Sequence, residues 1–212
     1  MAHNKKIGCV ILASGASKRF GTENKLLMNF DGKPVIEYIL KTVSQCPFFS
    51  SVCVTRRTEI VCLARRYAID HVLHSYSEKK DTIRLALDFL LHRNYAESDY
   101  PLDAVMFCAA DQPLLSKKTL DKLCDKFMRY PTGIVRAATF DENATLCCGN
   151  PVIFPAYMFE ELYNLQSGQN GRDVIANHSG RVRLVPVENR YELVDIDFPK
   201  DFMELTHSFK HL

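Results

Sequence analysis

The chain has 212 residues, of which 47% are apolar, enough to bury a substantial core and to exclude a disordered chain. Its 27 Lys and Arg stand against 25 Asp and Glu, a net charge of +2. So balanced a surface argues against nucleic-acid binding as the main activity, and no apolar stretch reaches the length of a transmembrane helix.

The first residues, MAHNKKIGCVILASG, set basic residues before an apolar run, as a signal peptide does. The run is too short, and Lys18 and Arg19 interrupt it, so a cytoplasmic protein is expected. Ile7 to Ala13 reads as a first strand that breaks into a small-residue turn, Ser14-Gly15-Ala16-Ser17, with Lys18, Arg19 and Lys25 close behind. Backbone N–H groups at such a turn point one way and bind anions, and nearby cations strengthen the effect. The segment therefore reads as a triphosphate-handling loop. It is not a Walker loop, because Thr22 stands where Lys is required, and the dinucleotide fingerprint G-x-G-x-x-G is absent.

Pro34 suits the first position of a helix over Val35 to Ser44, with Ile36, Ile39, Leu40 and Val43 at helical spacing. Ser51 to Thr55 is a second strand, Thr58 to Tyr67 a helix and His71 to Leu73 a short third strand. Asp81 to Asn94 is a helix with one apolar stripe, Ile83, Ala86, Leu87, Leu90 and Leu91. Tyr95 to Pro101 is the nearest approach to a flexible insert. Ala104 to Ala109 is wholly apolar and belongs in the centre of a sheet. Ser116 reads as the N-cap of the next helix, striped by Leu120, Leu123, Cys124 and Phe127. Gly133 to Thr139 is strand-like, Asp141 to Cys148 turn-like, and Val152 to Phe154 a short strand. Ala156 to Leu165 and Gly171 to His178 read as helices, Arg181 to Val187 as a half-buried strand, and Pro199 starts the last helix. Alternating strands and helices predict a mainly parallel sheet covered on both faces, in a single domain over residues 1–212.

Aspartates mark two further places. Asp111, in Ala109-Ala110-Asp111-Gln112-Pro113, follows the apolar strand and so lies at the carboxyl edge of the sheet, where open α/β folds bind ligands. Its carboxylate could hold Mg²⁺ or cap an ordinary turn. Asp195 and Asp197, two apart in Asp195-Ile196-Asp197-Phe198-Pro199, point the same way on an extended strand, so either could complete a Mg²⁺ shell or precede the last helix as a cap. None of the eight cysteines forms a C-x-x-C pair, so reduced thiols are expected rather than a zinc site, and the pair Cys147-Cys148 leaves open a contact with a sulfur-rich ligand.

Leu12-Ala13-Ser14-Gly15, Ser17, Arg19-Phe20-Gly21, Lys25 and Gly32-Lys33-Pro34 together resemble the signature of the nucleotidyltransferases. The resemblance points to the molybdenum cofactor cytidylyltransferase family within the wider NTP transferase superfamily, and spans about residues 7–205. It implies a three-layer α/β/α Rossmann-like fold with a mainly parallel mixed sheet. It implies that Leu12, Ala13, Ser14, Gly15, Ser17, Arg19, Lys25, Thr82 and Asp111 bind the nucleotide, with Lys25, Arg19 and Asp111 catalytic. Asp111 resembles the family's main metal ligand, and the resemblance favours Asp197 over Asp195 as its partner. Phe198 departs from the usual Thr. Lys79 to Arg84 also resembles a segment of the methylerythritol cytidylyltransferases, with Thr82 beside the nucleoside and Asp81 either there or an N-cap. Gly149, Asn150, Pro151 and Arg172 match positions on the acceptor side, where a turn and a surface arginine would look the same.

The implied reaction moves CMP from CTP to the phosphate of molybdopterin, with Mg²⁺ as cofactor and a molybdenum hydroxylase apoenzyme as a possible client. No nucleic acid or membrane partner is implied. A side chain at Ser14, where guanylyl-transferring relatives carry Gly, favours a pyrimidine base. GTP, a sugar alcohol phosphate acceptor and a non-catalytic cofactor carrier remain the alternatives.

Overall fold

The computed structural model describes residues 5–15, 17–20, 24–97, 102–141 and 143–209. Ala16, Gly21, Thr22 and residues 98–101 of the predicted insert lie outside them. In chain order the first half contains β1 (Ile7–Ala13), β2 (Asn29–Phe30), β3 (Lys33–Pro34), α1 (Val35–Ser44), β4 (Ser50–Thr55), α2 (Thr58–Arg66), β5 (Asp70–Leu73) and α3 (Lys79–Glu97). The second half contains β6 (Ala104–Ala109), α4 (Lys117–Arg129), β7 (Ile134–Phe140), β8 (Leu146–Pro155), α5 (Phe159–Tyr163), α6 (Gly171–Asn177), β9 (Val182–Pro186) and α7 (Pro199–Phe209).

A seven-stranded sheet has the order β5-β4-β1-β6-β8-β7-β9. β8 runs antiparallel to both its neighbours, and the other pairings are parallel, so the sheet is mixed and mostly parallel. Strand period 2 divides the core into two layers. Cys9, Ile11 and Ala13 of β1 pack with Ile36, Ile60 and Leu120 from α1, α2 and α4. Val10, between them, faces the opposite side with Leu87 of α3 and Leu162 of α5. The three-layer α/β/α arrangement follows from that alternation.

Several local expectations need correction. Pro34 ends β3 and sits at the N-cap of α1 rather than inside the helix. The hairpin before it turns on Asp31 (φ 45°) and Gly32 (φ 87°), the Asp-Gly pair that a two-residue turn of this hand prefers. Two-residue strands carry no periodicity, which is why the pattern missed them. α3 begins at Lys79, so Asp81 lies in its first turn, paired with Arg84 at 3.2 Å, and is not the N-cap. Ser116 caps α4 as expected, accepting from the Thr119 N–H. The stretch read as a helix from Ala156 to Leu165 is a 3-10 turn over 156–158 followed by the five-residue α5.

The largest correction concerns residues 141–155. The Asp141 N–H donates to the Thr145 carbonyl at 3.0 Å, and a ten-residue strand already runs from Leu146 to Pro155. Opposite it, Arg136 pairs with Val152 but Ala137 pairs with Gly149, so Asn150 and Pro151 are skipped. Proline has no N–H to give to a ladder, and a bulge is where a strand tolerates it. The bulge divides β8 into an inner half, packed in the core, and an outer half, 146–150, which reaches a cleft at the carboxyl edge of the sheet.

Candidate active site

The cleft holds about 1230 Å³ and opens where β1, β4 and β6 end. Leu12, Ser14, Gly15, Ser17, Arg19 and Lys25 line one end. Ala13 does not, since its side chain is in the core and its carbonyl accepts from Thr55 Oγ1 at 3.2 Å. A Cβ at Gly15 would meet nothing within 4 Å, so that backbone faces open cleft. Ser14 is held from three directions. Its Oγ donates to the Val54 carbonyl at 3.1 Å, and Arg56 Nε donates to its carbonyl at 3.0 Å. Its single proton being spent, Ser14 Oγ accepts from His74 Nε2 at 2.7 Å. Burial and the nearby Arg56 charge push the His74 pKa down, which keeps the ring neutral.

Lys25 is the centre of the site. Ser17, at φ 49°, turns the loop so that its Oγ accepts the Lys25 N–H at 3.3 Å, and Asn24 Oδ1 caps the following turn by accepting the Leu26 N–H at 3.0 Å. The side chain runs inward, leaving the residue 8% exposed. Its ammonium donates to Asp111 Oδ2 at 2.5 Å and Asp197 Oδ1 at 3.1 Å. Burial opposes the charge, but Asp111 and then Asp197 outweigh it and raise the Lys25 pKa. Asp111 and Asp197 are brought together by a backbone bond, the Ile196 N–H donating to the Asp111 carbonyl at 3.1 Å. Arg19 Nη1 lies 3.4 Å from Asp197 Oδ2, and its guanidinium stacks over the Phe198 ring at 4.6 Å. The departure from Thr thus supplies a face for Arg19.

Asp195 is placed differently. Its Oδ1 accepts from Gln112 Nε2 at 2.8 Å. The residue is open to the cleft, yet protein crowds the carboxyl, and that burial, with the Asp111 charge next, raises its pKa to about 7. The folded state therefore holds a proton on Asp195 that the unfolded chain releases near pH 4, so stability falls as pH rises from about 4 to 7. Asp195→Asn, which keeps an acceptor for Gln112, should stabilise the metal-free protein above pH 7 by about 1 kcal/mol, discounted for solvent in the cleft, and change little near pH 4. Urea melts at the two pH values test this, and equal shifts at both would refute it.

As for a metal, no three Asp, Glu, His or Cys side chains among the described residues are grouped as a cage. Two carboxylate oxygens from distant parts of the chain do converge on one cationic point, the Lys25 ammonium. That set fits a hard divalent ion that draws its other ligands from water and phosphate. Asp111 and Asp197 make the natural pair, with Asp195 turned to Gln112.

Thr82, 5% exposed, lines the wall of the cleft. Gly149, Asn150 and Arg172 line the far end, with Cys147 and Cys148 as free thiols beside them. Pro151 is buried in β8, off the cleft wall. Sequence reasoning missed Arg56 and Arg136. Arg136 Nη2 donates to the Cys148 carbonyl at 2.7 Å and Nε to the Gly149 carbonyl at 3.3 Å. Burial lowers its pKa; the neighbouring Cys148 partly offsets this, and the nearby Arg172 charge adds to it. A charged residue inside the otherwise apolar run Ile134 to Ala138 was the available signal.

The family model described as MobA-like NTP transferase domain matches residues 9–182. A 2-C-methyl-D-erythritol 4-phosphate cytidylyltransferase of Dictyoglomus thermophilum is 26% identical over 126 residues, 56% of this chain and 51% of that protein. Its counterpart in Dehalococcoides mccartyi is 35% identical over 51 residues, 24% of this chain and 22% of that protein. The chain thus spans about half or less of the length of these curated relatives. Among solved structures, Rv0371c of Mycobacterium tuberculosis H37Rv is 25% identical, with TM-score 0.74 over 96% of this chain and 99% of that one. The expected fold and the superfamily are thereby supported. The curated relatives are named for cytidylyl transfer to 2-C-methyl-D-erythritol 4-phosphate, a sugar alcohol phosphate.

Proposed function

The chain belongs to the MobA-like NTP transferase domain family, and on that premise we propose that it is a divalent-metal-dependent cytidylyltransferase acting on a small phosphorylated acceptor. The observation that carries this is Lys25 held between Asp111 and Asp197 at the foot of the glycine loop. Nucleotidyl transfer needs no protein nucleophile. It needs two anions held in line and the developing charge neutralised. An acceptor phosphate oxygen attacks the α-phosphorus, the bond to the β-phosphate oxygen breaks, and pyrophosphate leaves.

Gly15 and Ser17 present backbone N–H groups to the β- and γ-phosphates, with Arg19 alongside. Lys25 moves its ammonium from the carboxylates to the α-phosphate. Asp111 and Asp197 would hold Mg²⁺, which supplies neutralisation of the triphosphate charge. Ser14, its hydroxyl already committed to Val54 and His74, stands as a fixed wall at the base end and favours the smaller cytosine. Thr82 stands near the nucleoside. Resemblance to the two curated relatives supports CTP as donor.

The test is pyrophosphate release with Mg²⁺, offering CTP, GTP, ATP and UTP against 2-C-methyl-D-erythritol 4-phosphate and against molybdopterin. Release with CTP alone, on either acceptor, is the expected result. Release with GTP alone would keep the chemistry and overturn the role given to Ser14. Tight binding of nucleotide or pterin without release from any pairing would favour a carrier.

A further inference from the structure

Arg136 is in the wrong company for a structural arginine. Cross-strand partners share a face of a sheet. Val10 pairs with Phe107, Phe107 with Val152, and Val152 with Arg136, so these four form one row across β1, β6, β8 and β7. The first three are at most 3% exposed, and on β7 itself the flanking Ile134 and Ala138 of the same face are buried too. A guanidinium in such a row loses hydration and ordinarily acquires a carboxylate in return. Among the described residues Arg136 has none. Its hydrogen-bond partners are two backbone carbonyls on β8; the neighbouring Cys148 thiol favours its charge in part, and a second cation, Arg172, opposes it.

Both guanidiniums line the cleft, as does Asn150. The two carbonyl bonds fix the plane of Arg136 and leave Nη1 uncommitted. They also set the guanidinium at the bulge that Pro151 imposes, where β8 has lost its ladder partner. Two fixed or facing guanidiniums without a counter-ion carry two positive charges. A phosphate monoester dianion matches both charges and the fork geometry. A carboxylate would match only one.

We propose that Arg136, together with Arg172, forms the anion site that holds the acceptor, and that the acceptor is held by a dianionic phosphate monoester rather than by a carboxylate. The inference rests on the transferase reading of the cleft and assigns its second substrate site. Arg136 is the rigid member, locked by β8. Arg172, at the start of α6, closes on the anion from the other wall.

Calorimetric titrations with phenyl phosphate and with benzoate, each with and without the unreactive α,β-methylene analogue of CTP plus Mg²⁺, test the assignment. Phenyl phosphate should bind at least about tenfold more tightly than benzoate, in both conditions, because it satisfies both guanidiniums. Arg136→Gln and Arg172→Gln should each weaken phenyl phosphate by about tenfold or more while leaving the affinity for the CTP analogue within about twofold. Should Arg136→Gln fail to fold, Arg136→Lys keeps the charge without the fork and should still lose most of the gain, and the wild-type preference stands as an independent arm. Equal binding of phenyl phosphate and benzoate would overturn the proposal. So would an Arg136→Gln protein that loses the CTP analogue and keeps phenyl phosphate, since the pair would then serve the donor triphosphate. Failure of the analogue to bind at all would instead sink the transferase reading, and the phenyl phosphate titrations without analogue would still decide the anion site.

Discussion

Lys25→Met is expected to lower kcat by about a thousandfold with a much smaller change in the KM for CTP, as removal of a preorganised charge from a transition state does. The ammonium is nearly enclosed, its backbone pinned by Ser17 and its turn capped by Asn24. It rests between Asp111 and Asp197, the two carboxylates that would hold the divalent ion in the proposed reaction. Asp111 and Asp197 would then hold the metal ion, which supplies charge neutralisation, and the Lys25 ammonium would be free to turn to the α-phosphate. Methionine fills the same volume and can do neither.

The same substitution has a second readout. Asp111, whose side chain is only 18% exposed, loses its counter-ion. The metal-free variant should lose about 1–3 kcal/mol, the cost of leaving a partly buried charged group unpaired. That corresponds to roughly 2–4 °C in Tm per kcal/mol for a chain of this size. Mg²⁺ or Mn²⁺ should restore more of this in Lys25→Met than it adds to the parent protein, because no ammonium has to be displaced. Melts in EDTA and in millimolar metal, beside steady-state kinetics, check both halves. A variant that keeps a tenth of the parent kcat would remove Lys25 from the chemistry.

Asp111→Asn is expected to reduce kcat/KM by about a thousandfold and to abolish the response of the rate to Mg²⁺, since an amide is a poor ligand for a hard dication. Asp111 has the better claim of the two metal-site carboxylates. It lies just past the end of the central strand β6, and the Ile196 N–H on its carbonyl fixes its backbone against the segment that carries Asp197. Asp197 is half exposed and shared between Lys25 and Arg19, so its replacement by Asn should cost less. Asp195→Asn should cost least in rate, because that carboxyl is turned to Gln112. The ranking is the check. If Asp195→Asn proved as damaging as Asp111→Asn, the metal would belong to Asp111 and Asp195 instead.

Much of this was legible in the chain. β1 and β6 are apolar runs long enough to be buried strands, and the stripe in α3 has the helical period, so their faces follow from spacing. The placement of the loop after β1 and of the two aspartate segments at one cleft was legible as well, because each joins a buried strand or the last helix to the sheet's carboxyl edge. Other parts carried no local signal. The hairpin β2–β3 is too short to show a period, and the outer half of β8 mixes cysteines, glycine and proline, which reads as a turn. Arg136 sits in a strand that is otherwise apolar, and its partners are backbone carbonyls of another strand, which have no side-chain signature.

What the sequence by itself determined is the longer strands and helices and their order, because period, capping and strand ends are properties of neighbouring residues. What only the tertiary structure decided is which charges meet. Lys25 reaches Asp111 and Asp197 across 86 and 172 residues of chain, and Arg136 comes to face Arg172 across a register that Pro151 displaces. Contacts at such separations depend on strand order and ladder register, which are settled by the packing of the whole sheet rather than by any one segment.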